Sequence, residues 1–305
     1  MIHLVSLNPA LDFFFTLEKS KTGKVGTLQK SSAQAGGKAL NVARFLRSMR
    51  VPAVTWLGTG GGSDPTHIFF QSLLNQERLK VRYLSALAPI RFTAVLSKEK
   101  KYEKYNHPGF GSDLPFFGKL LESVKRGDRL ILTGRLPAGM SEALYASWIK
   151  LFQNRAVQVG LDVSGLPLAK ALAQRPWFFK VNLFELRDAL QMQARGLKEL
   201  SKLIPQLIRR GLLHGAVTHG AEGALVWNGP ESYWVRSSRK VKGMVVGAGD
   251  GFLAGYLKGL QSRKSFKESI RLACATGTTV AQTGIMGFNL KTLSGNLKTV
   301  KIVSL

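Results

Sequence analysis

Short apolar runs alternate with longer amphipathic segments along most of this chain. The runs have the length of strands, whereas the segments between them carry apolar side chains at helical spacing. Because this alternation is typical of an α/β fold, we predict a mostly parallel sheet with helices on both faces. The predicted strands are residues 2–7, 53–58, 129–134, 157–164, 178–183 and 215–220.

The segments between the strands predict helices. From residue 42 to residue 49, apolar side chains recur at i, i+3, i+4 and i+7, which predicts a helix that ends before Pro52. Arg44 and Arg47 lie outside this apolar stripe. Two further helices are predicted over residues 141–153 and 197–210.

A fourth helix is predicted after Asp250, and it carries three glycines on one face. A glycine inside a helix costs about 1 kcal/mol relative to alanine, so this face is predicted to pack closely against a neighbour. The glycines are spaced four residues apart: Gly251, Gly255 and Gly259.

Two segments break the alternation. Residues 13–35 are polar and rich in lysine, and residues 91–107 read as a hairpin with a charged turn. Strand-like pieces without helices between them predict a small β-sheet beside the main sheet. We therefore expect a single domain over residues 1–305, with a lid formed by inserted segments of approximately 12–35 and 88–110.

The composition fits a globular protein of the cytoplasm. The chain has 305 residues, 45% of them hydrophobic, and it is long enough to bury a large core. No apolar run reaches the roughly 20 residues that span a bilayer, and the first residues lack the pattern of a signal peptide. The single cysteine, Cys274, excludes an internal disulfide framework and fits a reducing compartment.

The chain is strongly basic, with 44 lysines and arginines, 18 acidic residues and a net charge of +26. Such an excess is compatible with nucleic acid, anionic membranes or phosphorylated substrates as partners, or with a general compositional habit. Since the cations are spread along the chain, we do not expect nucleic acid to be the principal ligand.

Three small residues, Gly247, Ala248 and Gly249, precede Asp250. Small residues let a backbone approach a ligand closely, and the free N–H groups at a helix N-terminus bind anions. The stretch therefore predicts either an anion site with a carboxylate at its mouth or an ordinary turn with Asp250 as the N-cap residue.

Polar and glycine-rich segments also follow several predicted strands. Ligands of open α/β sheets bind at the carboxyl ends of the strands, so these segments favour a ligand site at that edge. In chain order they are NPALD, AGGKALN, TGRLPAG, DVSG, KVNLFEL and THGAEGA, followed by VVGAGDGFLAG.

Taken together and in this order, these segments resemble the motifs of the ribokinase-like (PfkB) sugar kinases. The resemblance extends to about residue 287 and is strongest to the branch that contains 1-phosphofructokinase and tagatose-6-phosphate kinase. It implies an α/β domain with a β-lid, ATP and Mg²⁺ as cofactors, and homodimers that form through the lid.

The resemblance also assigns roles to matching residues. Asp250 becomes the general base, and the backbone of Gly247, Ala248 and Gly249 becomes an anion hole for the transferring phosphoryl group. The acceptor would bind to Asp12, Lys24, Gly36, Gly37, Lys38, Asn41 and Arg91. The nucleotide would bind to Thr218, Gly220, Gly223, Ala275 and Thr279, and Mg²⁺ indirectly to Asn182 and Glu185.

Three places depart from the family pattern, and the first is Val181 of KVN, which stands where the family usually has proline and restores a backbone N–H donor. Arg135 of TGRLPAG stands where the family usually has serine, and it could either grip the acceptor's phosphate or fill the pocket. Residues 58–70 replace a family motif that normally contacts the acceptor, so the sequence does not predict which residues make this contact.

The resemblance leads us to expect phosphorylation of fructose 1-phosphate to fructose 1,6-bisphosphate. Fructose 6-phosphate, tagatose 6-phosphate and an unphosphorylated sugar are alternative acceptors. The alternative from another functional class is a protein that has lost catalytic activity and binds polyanions. Without the resemblance, Asn182 and Glu185 could be a surface pair, and Lys24 and Arg91 could be solvated cations.

Overall fold

The computed structural model describes residues 1–17, 27–59, 64–85, 89–98, 101–111, 113–229, 231–239, 241 and 246–305. The strands of this part of the chain are β1 (Ile2–Ser6), β2 (Ala10–Leu17), β3 (Leu28–Gly36), β4 (Ala53–Leu57), β5 (Val81–Tyr83), β6 (Arg91–Lys98), β7 (Lys101–Asn106), β8 (Arg129–Gly134), β9 (Gln158–Val163), β10 (Phe178–Asn182), β11 (His214–Thr218), β12 (Ala224–Asn228), β13 (Glu231–Ser237) and β14 (Val300–Ser304). The α-helices are α1 (Lys38–Ser48), α2 (Pro65–Glu77), α3 (Phe117–Ser123), α4 (Leu144–Gln153), α5 (Pro167–Leu172), α6 (Leu183–Leu190), α7 (Leu197–Ser201), α8 (Ile204–Arg209), α9 (Ala248–Gln261), α10 (Phe266–Thr283) and α11 (Leu290–Leu297).

Ten strands form one large sheet in the order β14-β13-β12-β11-β10-β9-β8-β1-β4-β5. The seven strands from β11 to β5 run parallel to one another. The edge formed by β12, β13 and β14 is antiparallel. The sheet is therefore mostly parallel, as predicted, and all six predicted strands belong to it.

Helices cover both faces of this sheet. On one face, α3 to α8 bury side chains such as Trp148, Phe152 and Leu186. On the other face, α1, α9, α10 and α11 bury side chains such as Phe45 and Leu253. Within the described residues, no helix is long and apolar enough to cross a membrane.

The glycine face of α9 packs against α10, which confirms the predicted close approach. A Cβ atom added to Gly255 would lie 2.6 Å from the carbonyl oxygen of Leu272, and one added to Gly259 would lie 2.5 Å from the Ser269 hydroxyl. Since no side chain fits there, the glycines set the distance between the two helices and thereby the position of the N-terminus of α9.

The small sheet has the order β3-β2-β6-β7 and stands apart from the large one. β2 pairs antiparallel with β3 and parallel with β6, while β6 and β7 form the predicted hairpin. Leu11 and Ile90 belong to a third apolar cluster, which joins this sheet to Phe70 of α2. We call the small sheet the lid sheet.

The predicted helix over residues 197–210 is wrong, because two short helices, α7 and α8, occupy this segment. Pro205 lies in the first turn of α8. A proline there replaces an N–H that needs no partner, whereas in the middle of a helix it would remove a hydrogen bond and clash with the preceding turn. The helix predicted from residue 141 begins slightly later, at Leu144.

Candidate active site

The N-termini of α1 and α9 meet at the carboxyl edge of the large sheet. Both helices have a glycine N-cap with positive φ, since Gly37 caps α1 with a φ of 125° and Gly247 caps α9 with a φ of 82°. Asp250 is the third residue of α9, so its reading as an N-cap residue is wrong. The N–H groups of Ala248 and Gly249 belong to the first turn and have no acceptor within the helix.

Asp250 is buried beside the amide of Asn41. Asn41 lies on α1 and donates a hydrogen bond from Nδ2 to Oδ2 of Asp250 over 2.8 Å. Burial raises the pKa of Asp250 to about 6, and the negative charge of Asp162 acts in the same direction. The charges of Lys38 and Lys180 and the bond from Asn41 act against this rise. A carboxylate with such a pKa can accept a proton near neutral pH.

A second buried carboxylate, Asp162 at the end of β9, lies between two lysines. Nζ of Lys38 is 2.7 Å from Oδ1, and Nζ of Lys180 is 3.1 Å from Oδ2. Burial alone would raise the pKa of Asp162, but the charges of Lys180 and Lys38 hold it below its usual value. Asp162 is therefore ionised at neutral pH and holds both ammonium groups in place.

Lys180 also borders the first turn of α9. A Cβ atom added to Gly249 would lie 2.7 Å from its Nζ, so the ammonium group occupies the space that a side chain would need. The small residues ahead of Asp250 thus admit a cation as well as a ligand. Neither Asp162 nor Lys180 was assigned a role from the sequence, although both lie in segments that resemble the family motifs, DVSG and KVNLFEL.

Asp12 and the turn at Gly36 and Gly37 lie next to each other where the lid sheet joins α1. The carboxylate of Asp12 lies against Gly36, because a Cβ atom added there would be 2.1 Å from Oδ2. Burial raises the pKa of Asp12, and the charges of Lys104 and Arg91 oppose the rise. These residues form the lid side of the candidate site.

Arg91 and Arg135 lie close enough for the charge of one to act on the other. Arg91 donates from Nε to the carbonyl oxygen of Asn8 over 3.1 Å and from Nη1 to Thr93 Oγ1 over 3.2 Å. Burial lowers the pKa of Arg91, Asp12 raises it, and the like charge of Arg135 lowers it further. Arg135 is exposed and donates from Nε to Ser164 over 3.4 Å. Lys24 lies outside the described residues.

Asn182 and Glu185 form a capping box at the start of α6. Oδ1 of Asn182 accepts from the N–H of Glu185 over 2.8 Å, and Oε2 of Glu185 accepts from the N–H of Asn182 over 2.9 Å. The described residues contain no cluster of three or more His, Cys, Asp or Glu that could hold a metal ion directly. Since Mg²⁺ usually keeps several waters and binds few carboxylates, the pair fits an indirect role through water.

The residues assigned to the nucleotide occupy two environments. Gly220 and Gly223 lie in a turn after β11 with positive φ, and Thr218 ends that strand, partly exposed. Ala275 and Thr279 lie on α10 and are fully buried. The Thr279 hydroxyl donates to the carbonyl of Ala275 over 2.8 Å. The structure exposes neither α10 residue, so their contact with a nucleotide stays a prediction.

Comparison with known proteins shows the family of the chain. The sequence matches the pfkB family of carbohydrate kinases over residues 3–292. The chain belongs to this family, and it is a carbohydrate kinase. It is 26% identical over 283 residues to a 1-phosphofructokinase of Bacillus subtilis (strain 168), with 92% of each chain covered. It is 28% identical over 309 residues to a D-tagatose-1-phosphate kinase of Klebsiella oxytoca, with 100% of each covered.

Solved structures show the same fold. Phosphofructokinase-2 from Escherichia coli, in complex with substrates and products, superposes with a TM-score of 0.88 at 22% identity, over 97% of this chain and 98% of that one. A tetrameric inhibited form of the same enzyme gives a TM-score of 0.86. The predicted ribokinase-like fold, with a large sheet, helices and a small separate sheet, is therefore confirmed.

Proposed function

We propose that this kinase transfers the γ-phosphoryl group of ATP to a phosphorylated ketohexose, with fructose 1-phosphate as the first candidate. The observation that carries the proposal is the position of Asp250. It is a buried carboxylate with a raised pKa, in the first turn of a helix whose N-cap is Gly247. A proton acceptor and an anion-binding backbone thus lie side by side, as transfer of a phosphoryl group to a hydroxyl requires.

In the proposed reaction, Asp250 accepts the proton of the attacking hydroxyl as the oxygen bonds to phosphorus. The backbone N–H groups of Ala248 and Gly249 hold the charge on the transferring group, and the bond to ADP breaks on the opposite side. Lys180, beside Gly249, adds a fixed positive charge next to the same turn. Bound Mg²⁺, held through water by Asn182 and Glu185, would neutralise charge on the nucleotide's phosphates.

The acceptor's own phosphate would bind to the guanidinium groups of Arg91 and Arg135. Asp12, which lies against Gly36, would bind the sugar hydroxyls. Arg135 bonds to Ser164 through Nε, and within the described part of the chain its two NH₂ groups remain donors for a phosphate. Because similar proteins of Bacillus subtilis and Klebsiella oxytoca are named 1-phosphofructokinase and D-tagatose-1-phosphate kinase, we take tagatose 1-phosphate as a candidate acceptor beside fructose 1-phosphate.

The test is ADP release from ATP and Mg²⁺ with a panel of acceptors: fructose 1-phosphate, tagatose 1-phosphate, fructose 6-phosphate, tagatose 6-phosphate, fructose and ribose. We expect turnover with one ketohexose 1-phosphate. In Arg135→Ser, we expect the KM for that acceptor to rise roughly 10- to 100-fold, as for a lost charge-assisted hydrogen bond. Preference for an unphosphorylated sugar would contradict the assignment of Arg91 and Arg135.

The lid sheet supports a further part of the proposal, a homodimer. Phe92 and Tyr105 are 54% and 55% exposed. Their strand partners, Leu11 and Ala94, show that both lie on the face of the sheet opposite Asp12. A second copy of the lid would cover these rings. Light scattering should give the mass of a dimer, and a monomer at micromolar concentration would overturn this part.

A further inference from the structure

Arg44 connects the candidate base to a second helix through a continuous chain of hydrogen bonds. It lies on α1 one turn after Asn41 and is 8% exposed. Its Nη1 donates to Oδ1 of Asn41 over 2.9 Å, while Nη2 donates to the carbonyl oxygen of Ala35 over 2.5 Å. Nε and Nη2 also donate to the two carboxylate oxygens of Glu77, over 2.5 and 2.6 Å. One guanidinium group therefore joins α1, α2 and β3.

The chemistry of the guanidinium group decides how the Asn41 amide is oriented. Arginine has donors only, so the Asn41 atom that faces it has to be the carbonyl oxygen. The NH₂ group of Asn41 must then face the opposite way, where it donates to Asp250. Without Arg44 the amide could turn over and present its oxygen to Asp250, which a protonated carboxyl group would favour.

We infer that Arg44, held by Glu77, is a positioning residue that fixes the Asn41 amide so that it donates to the Asp250 carboxylate. The inference rests on the proposed role of Asp250 as the base. Through Ala35, the same guanidinium group also fixes the end of β3, next to the turn at Gly36 that is predicted to bind the acceptor sugar.

The ion pair is poorly explained by stability alone. Glu77 is the last residue of α2, where the helix dipole disfavours a negative charge. The side chains of Arg44 and Glu77 are only 9% and 15% exposed, so both charges lose most of their hydration. An apolar pair of similar volume often stabilises a fold as well or better. The forked donor geometry, in contrast, is needed to bind the Asn41 amide, the Ala35 carbonyl and the Glu77 carboxylate at once.

The groups that face Asp250 predict the direction in which its pKa changes when the Asn41 amide is no longer held. Asp162 on β9 raises its pKa, whereas Lys38 on α1, Lys180 on β10 and the bond from Asn41 lower it. Loss of the oriented amide removes one of the lowering influences and leaves the others in place. The protonated form of Asp250 therefore becomes more favourable.

The experiment is a titration of the Asp250 carboxyl group by ¹³C NMR in the full chain, labelled at aspartate. The chain has seven aspartates, and Asp250→Asn identifies the signal. In Arg44→Met we expect the pKa to rise by about 0.5 to 1 unit, the scale of one lost hydrogen bond to a charge. Arg44→Lys should not restore it, since an ammonium group lacks the fork. Arg47→Met, an exposed arginine on the same helix, should leave it unchanged.

A double-variant cycle completes the test. Asn41→Leu should raise the Asp250 pKa by itself, and adding Arg44→Met should change it no further, because Arg44 acts only through Asn41. A wild-type pKa in Arg44→Met, or additive shifts, would overturn the inference. If Arg44→Met does not fold, Glu77→Gln replaces it, with a smaller rise expected and no change counting against the inference. Because the titration needs no turnover, inactivity with every acceptor would count against the proposed function alone.

Discussion

Asp162 and Asp250 are both buried aspartates at the same edge of the sheet, yet their surroundings push their pKa values in opposite directions. Asp162 has two lysines as partners, at 2.7 and 3.1 Å, and stays ionised. Asp250 has a neutral amide as its direct partner, and burial raises its pKa to about 6. One carboxylate is thereby suited to hold cations and the other to accept a proton, so the partner decides the role.

The largest expected effect on stability comes from Asp162→Asn. The substitution leaves the buried Lys180 and the partly buried Lys38 without their counter-charge, and breaking such a pair costs about 3–5 kcal/mol. Since the pKa of Asp162 is lowered in the fold, its contribution is present at neutral pH and is lost as the pH falls through the folded pKa. Urea unfolding at pH 7 measures the loss, with exposed Asp188→Asn as the control. Equal stability of the two variants would contradict the account.

Asp250→Asn should increase the stability of the fold, in contrast to Asp162→Asn. With a folded pKa of about 6, the ionised carboxylate costs stability above that pH, and this cost disappears below the unfolded pKa. The neutral amide avoids the cost, so we expect a gain of about 1–3 kcal/mol at pH 8 that vanishes near pH 4. Unfolding curves at the two pH values check this, and a loss of stability at pH 8 would show that burial of the charge is not costly here.

Lys180→Met should weaken the contrast between the two aspartates. Without this charge, the pKa of both carboxyl groups should rise, and the acid limb of activity should move to higher pH. We also expect kcat to fall roughly 10- to 100-fold, because a charge next to the proposed phosphoryl site is lost. A pH profile of turnover separates these effects. A pH profile identical to that of the wild type would show that Lys180 has no role in the candidate site.

The parallel sheet could be predicted from local signals in the sequence, whereas the residue roles of the candidate site followed from the resemblance of short motifs to a family. Strand-length apolar runs and glycine-rich turns at their ends can be read from neighbouring residues. The charged network could not be found in this way. Lys38 and Asp162 are 124 residues apart, and Arg44 and Glu77 are 33 apart on different helices.

Two smaller differences have local causes. Pro205 divides a segment that reads as one amphipathic helix, and its place at the start of α8 depends on packing as well as on propensity. Asp250 lies inside α9 because Gly247 takes the cap with a left-handed conformation, which a glycine allows at little cost.

The most direct test of the account measures phosphoryl transfer from ATP to fructose 1-phosphate between pH 5 and pH 8, with the wild type and Asp250→Asn in parallel. The account predicts an acid limb with an apparent pKa near 6 in the wild type. In the variant it predicts a loss of kcat of about 10²- to 10⁴-fold at every pH, in protein that remains folded. Turnover by the variant at the wild-type rate would contradict the central claim that Asp250 is the base.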